Sequence, residues 1–86
     1  MTEVEWMHIF AKNLREMLFE KRMTQRELAF ETGLSEKAIS TYVNQERMPG
    51  AKALVNMSYA LDCSLDELAD FGDTIEWRKE NANESL

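Results

Sequence analysis

The stretch TQRELAFETGLS at residues 24–35 decides the local structure of this chain. Thr24 stands three residues before Glu27, which is the spacing of a capping box, so the pattern predicts that a helix begins here. Gly33 is the residue type that commonly ends a helix. Ser35 then favours a second helix start, because its hydroxyl can accept from the first free backbone amides. Two helices are therefore predicted around a turn of about three residues, the spacing of a helix-turn-helix.

Apolar side chains recur at helical spacing on both sides of this turn. The chain of 86 residues has one Pro and three Gly, so we predict an all-α fold with short connections. The expected helices cover residues 4–22, 24–32, 35–45 and 50–62, and a short fifth helix begins at the capping box formed by Ser64 and Glu67. Residues 1–70 are predicted to form one compact five-helix domain, followed at 71–86 by an acidic tail that dimerisation would order.

The composition excludes several classes of protein. The single cysteine, Cys63, leaves no intramolecular disulfide and no thiolate cluster for zinc. No apolar run approaches the ~18 residues of a membrane span, and the acidic N-terminus lacks the basic start of a signal peptide. No nucleophile–base pair or phosphate-binding glycine loop is recognisable. We therefore expect a cytoplasmic protein that is not an enzyme and has no metal, no cofactor and no membrane partner.

The charge is unevenly distributed along the chain. A formal net charge of −6 argues, by itself, against a partner made of phosphates. However, residues 11–61 hold eight basic and six acidic side chains, whereas residues 62–86 hold two basic and eight acidic ones. The acid therefore lies outside the helix-turn-helix. A DNA-binding helix-turn-helix places its second helix in the major groove. For such a protein, the overall charge predicts weak non-specific binding to DNA, and the acidic tail would repel non-cognate DNA or pair with a partner.

The residues around the turn resemble the phage Cro/repressor-type (XRE) helix-turn-helix family. The similar segments are Thr24–Ala29, Thr32–Ser35, Ile39–Tyr42, Asn44 and Pro49, with Ala60–Leu68 similar to the closing helices. This resemblance covers residues 10–70 and implies a compact, five-helix, repressor-like domain. It also implies a regulator of transcription that binds double-stranded operator DNA, usually as a homodimer, with the helix at 35–45 in the major groove.

The resemblance implies which side chains would meet DNA. Gln25 would bind a backbone phosphate and also the first recognition residue of the helix at 35–45, while Lys37 would read guanine, Glu36 cytosine, and Thr41 a base edge or a thymine methyl. Asn44 matches a phosphate-binding position. The full expected set is Gln25, Arg26, Ser35, Glu36, Lys37, Ser40, Thr41, Asn44, Arg47 and Lys52.

One departure from the family concerns the end of the helix predicted at 35–45. The family commonly has Glu-Asn-Gly there, and this chain has Val43, Asn44 and Gln45. Without the glycine, either Asn44 or Gln45 must adopt the left-handed conformation, or the helix must end differently. The added apolar surface of Val43 has two candidate partners, the acidic tail and a second subunit.

Other apolar residues are interpreted as core or as contact surface. Tyr42 and Tyr59 are expected to pack rather than to stack on bases, and Trp6 and Trp77 would each cover the core or form a dimer contact. Core positions without a functional role are expected to be Leu28, Leu34, Ile39, Leu54, Leu61 and Leu68.

The alternative function is an antitoxin-like or adaptor module, whose main partner would be another protein bound through the acidic tail.

Overall fold

The computed structural model describes residues 2–69, which fold as five α-helices without a strand in that range. The helices are α1 (Glu3–Lys21), α2 (Gln25–Thr32), α3 (Glu36–Val43), α4 (Ala51–Ala60) and α5 (Leu65–Leu68). The all-α, five-helix prediction is confirmed, and each predicted limit of the first four helices lies within two residues of the observed one. The acidic tail, with Trp77, lies outside the described residues.

Side-chain caps start α2, α3 and α5 at the positions that the sequence predicts. The Thr24 hydroxyl accepts from the Glu27 amide (3.0 Å) and the Glu27 carboxylate accepts from the Thr24 amide (3.4 Å), which completes a capping box. The Ser35 hydroxyl accepts from the Ala38 amide at 3.0 Å. Ser64 accepts from the amide of Glu67, also at 3.0 Å. These bonds satisfy amides that have no partner within the helix.

Three of the helices end on left-handed residues that are not glycine. These residues are Arg22 (φ 54°), Gln45 (φ 60°) and Asp62 (φ 50°). After each of them the following amide bonds back into the helix, as in the 2.8 Å bond from the Glu46 N–H to the Thr41 carbonyl, which is the Schellman arrangement. Gln45 therefore takes the left-handed position at the end of α3, and α3 ends two residues before its predicted limit.

The core lies between α1 and the other helices: α1 packs on α3 and α5, and α2 packs on α3 and α4. The large side chains that are fully buried are Phe10, Leu14, Leu28, Ile39, Met57, Leu61 and Leu68. The core prediction is confirmed for Leu28, Ile39, Leu61 and Leu68. Leu34 and Leu54 are only partly buried and pack against this core.

Two apolar residues lie elsewhere than predicted. Val43 is buried in the core of its own domain, because it belongs to the face of α3 that packs on α1. The expected contact of Val43 with the tail or a second subunit is therefore wrong. Tyr42 is buried as predicted, but Tyr59 is 81% exposed, so the packing prediction for Tyr59 is wrong. Trp6 covers the core and stacks on Phe10, with ring centroids 5.3 Å apart.

Three side chains bond to backbone carbonyls at the ends of other helices. Arg15 of α1 donates to the Val43 carbonyl at the end of α3 (2.9 Å). Asn13 of α1 donates to the Leu68 carbonyl at the end of α5 (3.3 Å). Asn56 of α4 donates to the carbonyl of Thr32, the last residue of α2, at 3.4 Å. Because the last carbonyls of a helix lack partners within it, these bonds join the ends of α2, α3 and α5 to the middle of a neighbouring helix.

Candidate nucleic-acid interface

The turn between α2 and α3 is held by a buried threonine. The Thr32 hydroxyl donates to the Leu28 carbonyl (2.7 Å) and accepts from the Leu34 amide (3.2 Å), so it bonds on both sides of Gly33. Gly33 has φ 75°, a conformation that costs a residue with a side chain about 1–2 kcal/mol. The side chain of Leu34 packs on the core beside the turn. The angle between α2 and α3 is therefore set by local bonds as well as by packing.

The recognition-helix candidate α3 has one apolar and one polar face. Ile39, Tyr42 and Val43 are buried against the rest of the domain. The opposite face is polar and accessible to solvent. It carries six of the expected DNA-contacting residues: Ser35, Glu36, Lys37, Ser40, Thr41 and Asn44. An amphipathic helix with these two faces can present its polar side to a macromolecule without disturbing the core.

Three of these polar side chains take part in hydrogen bonds along the C-terminal half of α3. The Thr41 hydroxyl donates to the Ala38 carbonyl at 2.7 Å, so its proton is engaged and its methyl group and oxygen lone pairs remain for a base edge. The side-chain amide of Asn44 donates to the Ser40 hydroxyl at 3.1 Å. Ser40 and Asn44 are thus held together on the C-terminal half of the polar face. Apart from the four-residue spacing, no sequence pattern marks this pairing.

The remaining expected residues lie on neighbouring elements. Gln25 and Arg26 are exposed in the first turn of α2, Arg47 is exposed in the loop after α3, and Lys52 is exposed in the first turn of α4. None of the ten predicted residues is buried: eight are exposed, and Ser40 and Thr41 are half-buried. Their contact with DNA stays a prediction.

The side chain that contacts Glu36 in the structure is not the one that the resemblance implies. The resemblance places Gln25 beside the first residue of α3. In the structure, Arg26 Nε lies 3.5 Å from Glu36 Oε1, and both side chains are mostly exposed. Arg26 and Glu36 are both in the expected set, so two predicted DNA-contacting residues contact each other where the start of α2 lies beside the start of α3.

Two positioning contacts of α3 come from α1 and were missed by sequence reasoning. Besides the bond from Arg15 to the Val43 carbonyl, the Gln45 side-chain nitrogen lies 3.3 Å from His8 Nδ1. The contacts join residues 28 and 37 positions apart in the chain. No local pattern marks either pair, because each depends on how α1 packs on α3.

Within residues 2–69 no group of three or more His, Cys, Asp or Glu side chains could hold a metal ion. Burial, reinforced by the negative charge of Glu67, raises the pKa of the Cys63 thiol, which makes it a weaker nucleophile at neutral pH. No helix in the same range is long and apolar enough to cross a membrane.

Comparison with known proteins identifies the class of domain. A sequence model of the helix-turn-helix family matches residues 12–68, which include all five helices in whole or in part. The chain therefore belongs to the XRE-type helix-turn-helix family, as the resemblance predicts.

A curated relative comes from Bacillus subtilis (strain 168) and is named "Uncharacterized HTH-type transcriptional regulator YqaE". The two sequences are 37% identical over 60 residues, which cover 70% of this chain and 52% of the relative. The chain thus spans about half the length of this curated relative. No solved structure matches the chain.

Proposed function

We propose that this protein is a sequence-specific, DNA-binding regulator of transcription, of the phage or prophage repressor type. The observation that carries the proposal is the exposed polar face of α3, which lies beside the start of α2 in a helix-turn-helix. The major groove admits one α-helix, and the N-terminal residues of that helix then lie on base edges. The name of the curated relative, a transcriptional regulator of the same family, supports the same function.

The proposed contacts divide into base readers and phosphate ligands. Lys37 donates to guanine O6 and N7, Glu36 accepts from the cytosine N4 amine, and Thr41 contacts a thymine methyl or a base edge. Ser35, the N-cap of α3, contacts a base edge or a flanking phosphate. The phosphate ligands fix the register of the domain on the duplex without reading its sequence. They are Gln25, Arg26, Ser40, Asn44, Arg47 and Lys52.

The regulator is proposed to act in the cytoplasm as a homodimer on two half-sites about 34 Å apart, one helical turn of DNA. Exposed aromatic side chains support self-association, since large apolar groups left in water mark contact surfaces. Phe30 and Tyr59 are each more than 80% exposed. Sedimentation of the full chain should show a dimer. Substitution by Ser of Phe30, of Tyr59 or of both should shift it to a monomer.

The test of the function is selection of bound sites from random double-stranded DNA by the full chain. A two-fold symmetric consensus is expected, and failure to enrich any sequence would refute the proposal. On the selected site, Lys37→Ala and Thr41→Ala should each cost about 1–3 kcal/mol and relax the preference at one base pair. Lys12→Ala, an exposed lysine of α1, is the control for loss of charge alone.

The acidic tail gives the second comparison. Removal of residues 72–86 takes away more acidic than basic side chains and should raise non-specific affinity for DNA at low salt. Unchanged affinity would contradict repulsion by the tail. A stoichiometric protein partner captured by the tail, together with no selected DNA sequence, would support the antitoxin-like or adaptor function instead.

A further inference from the structure

Arg26 and Glu36 bring opposite charges to the point where α2 and α3 both begin. Arg26 is the second residue of α2 and Glu36 is the first residue of α3. The Nε–Oε1 distance is 3.5 Å, and the side chains are 89% and 62% exposed. It is the only ion pair between side chains found within residues 2–69.

Stability does not account for this pair. An ion pair between exposed side chains contributes little to stability, because solvent screens it and two long side chains lose freedom. Glu36 is already favoured in the first turn of α3 by the helix dipole, with no need of a partner. Arg26, in contrast, is a cation in the first turn of α2, where the dipole disfavours it. The arginine is thus at a locally unfavourable position, from which it reaches the carboxylate.

We propose that Arg26 and Glu36 form one specificity-determining unit, in which Arg26 is a positioning residue that directs the Glu36 carboxylate to a cytosine. The inference rests on the proposed function. A carboxylate is the acceptor suited to the cytosine N4 amine, but by itself it is repelled by the surrounding phosphates. The guanidinium offsets that negative charge. Its Nε lies 3.5 Å from Oε1, which leaves Oε2 for the base.

The fork of the arginine gives the unit a second contact with DNA. A guanidinium has five N–H donors in one plane, and the pair with Glu36 occupies the Nε edge. The Nη donors are then available for a phosphate oxygen of the DNA backbone. Exclusion of water on binding strengthens the attraction between the two side chains, since the local dielectric constant falls.

The test is a double-mutant cycle on the selected DNA site, measured with the full chain. The variants are Arg26→Gln, Glu36→Gln and the double substitution, with Lys52→Gln as the control for loss of one cation. Affinity is measured for duplexes in which each base pair is replaced in turn. Glu36→Gln should reduce the preference for one cytosine about 10-fold. Arg26→Gln should reduce the preference at that same base pair several-fold, and the double variant should resemble Glu36→Gln alone.

Lys52→Gln should lower affinity for all duplexes alike. Arg26→Gln could instead lower affinity for all duplexes alike, with base preference intact and the slope of log affinity against log salt smaller by about 1. That result would show that Arg26 is only a phosphate ligand, and the inference would be wrong. Additive effects in the double variant would also overturn it. If the wild-type chain selects no sequence, the proposed function itself fails, which is a distinct result. Both side chains are exposed, so the variants should fold, and circular dichroism checks this.

Discussion

The guanidinium of Arg15 donates a 2.9 Å hydrogen bond to the carbonyl of Val43, 28 residues further along the chain. Val43 is the last residue of α3, so its carbonyl has no partner within the helix. A cation at this end is also favoured by the helix dipole. The first helix therefore fixes the C-terminal end of the helix that carries the proposed base readers.

Replacement of Arg15 tests this bond. Arg15→Ala should lower the free energy of unfolding by about 1–2 kcal/mol, because a hydrogen bond from a charged donor is lost and a helix-end carbonyl loses its partner. Lys12→Ala removes the same charge from an exposed position of the same helix and should change the free energy by less than about 0.5 kcal/mol. Urea denaturation measures both. Equal effects would show that the Arg15 bond does not stabilise the fold.

Two phenylalanines of α1 give a matched test of the core. Phe10 is 1% exposed and Phe19 is 85% exposed. Phe10→Ala should cost about 3–5 kcal/mol, a large part of the total stability of a small domain. Phe19→Ala should leave stability nearly unchanged. Thermal unfolding followed by circular dichroism separates the two variants, and similar melting temperatures would contradict the described core.

Two glycines should respond in opposite ways to the same change. Gly50 precedes α4 with φ −75° and no side-chain cap, and a Cβ there would meet no atom within 4 Å. Gly50→Ser should stabilise the protein by about 0.5–1 kcal/mol, through a new cap and a less flexible unfolded chain. Gly33→Ser should destabilise it by about 1–2 kcal/mol, because φ is 75° there. Denaturation midpoints that move in the same direction would contradict this expectation.

The thiol of Cys63 should react at higher pH in the folded protein than in the unfolded chain. Burial, and then the charge of Glu67, raises its pKa, and only the thiolate reacts with iodoacetamide. The midpoint of the pH–rate profile should therefore lie higher without urea than in urea. A folded midpoint at or below the unfolded one would contradict the prediction.

The raised pKa of Cys63 also has a consequence for stability. The folded state favours the protonated thiol, so the contribution is complete below the pKa of the unfolded thiol and is lost as the pH rises through the folded value. The free energy of unfolding should thus fall with pH in that range. Cys63→Ser is the control, since it removes this titration.

Local patterns predicted the elements well. Thr24, Ser35 and Ser64 each begin a helix at the predicted place, because a cap depends on residues only three positions apart. The periodicity of Phe10, Leu14 and Leu18 placed α1 for the same reason. The candidate site was predicted as a set of positions on α2, on α3, in the loop that follows α3 and at the start of α4, and the structure buries none of them.

Contacts between distant elements escaped prediction. Val43 was expected at an outer contact and lies in the core, because its environment depends on how α3 packs on α1. Tyr59 was expected to pack, yet the face of α4 that carries it has no neighbour in the described residues to cover it. The contact of Glu36 with Arg26, rather than with Gln25, depends on the angle between α2 and α3, which sequence spacing does not specify.

The sequence by itself determined five helices, the capped starts of α2, α3 and α5, the glycine turn and the family, because each depends on interactions within a few residues or on a motif. Tertiary structure alone decided that Arg15 binds the end of α3, that Val43 is buried, and that Arg26 faces Glu36. These contacts depend on the relative positions and angles of packed helices. Those positions arise from the sum of many side-chain contacts, which no single stretch of sequence contains.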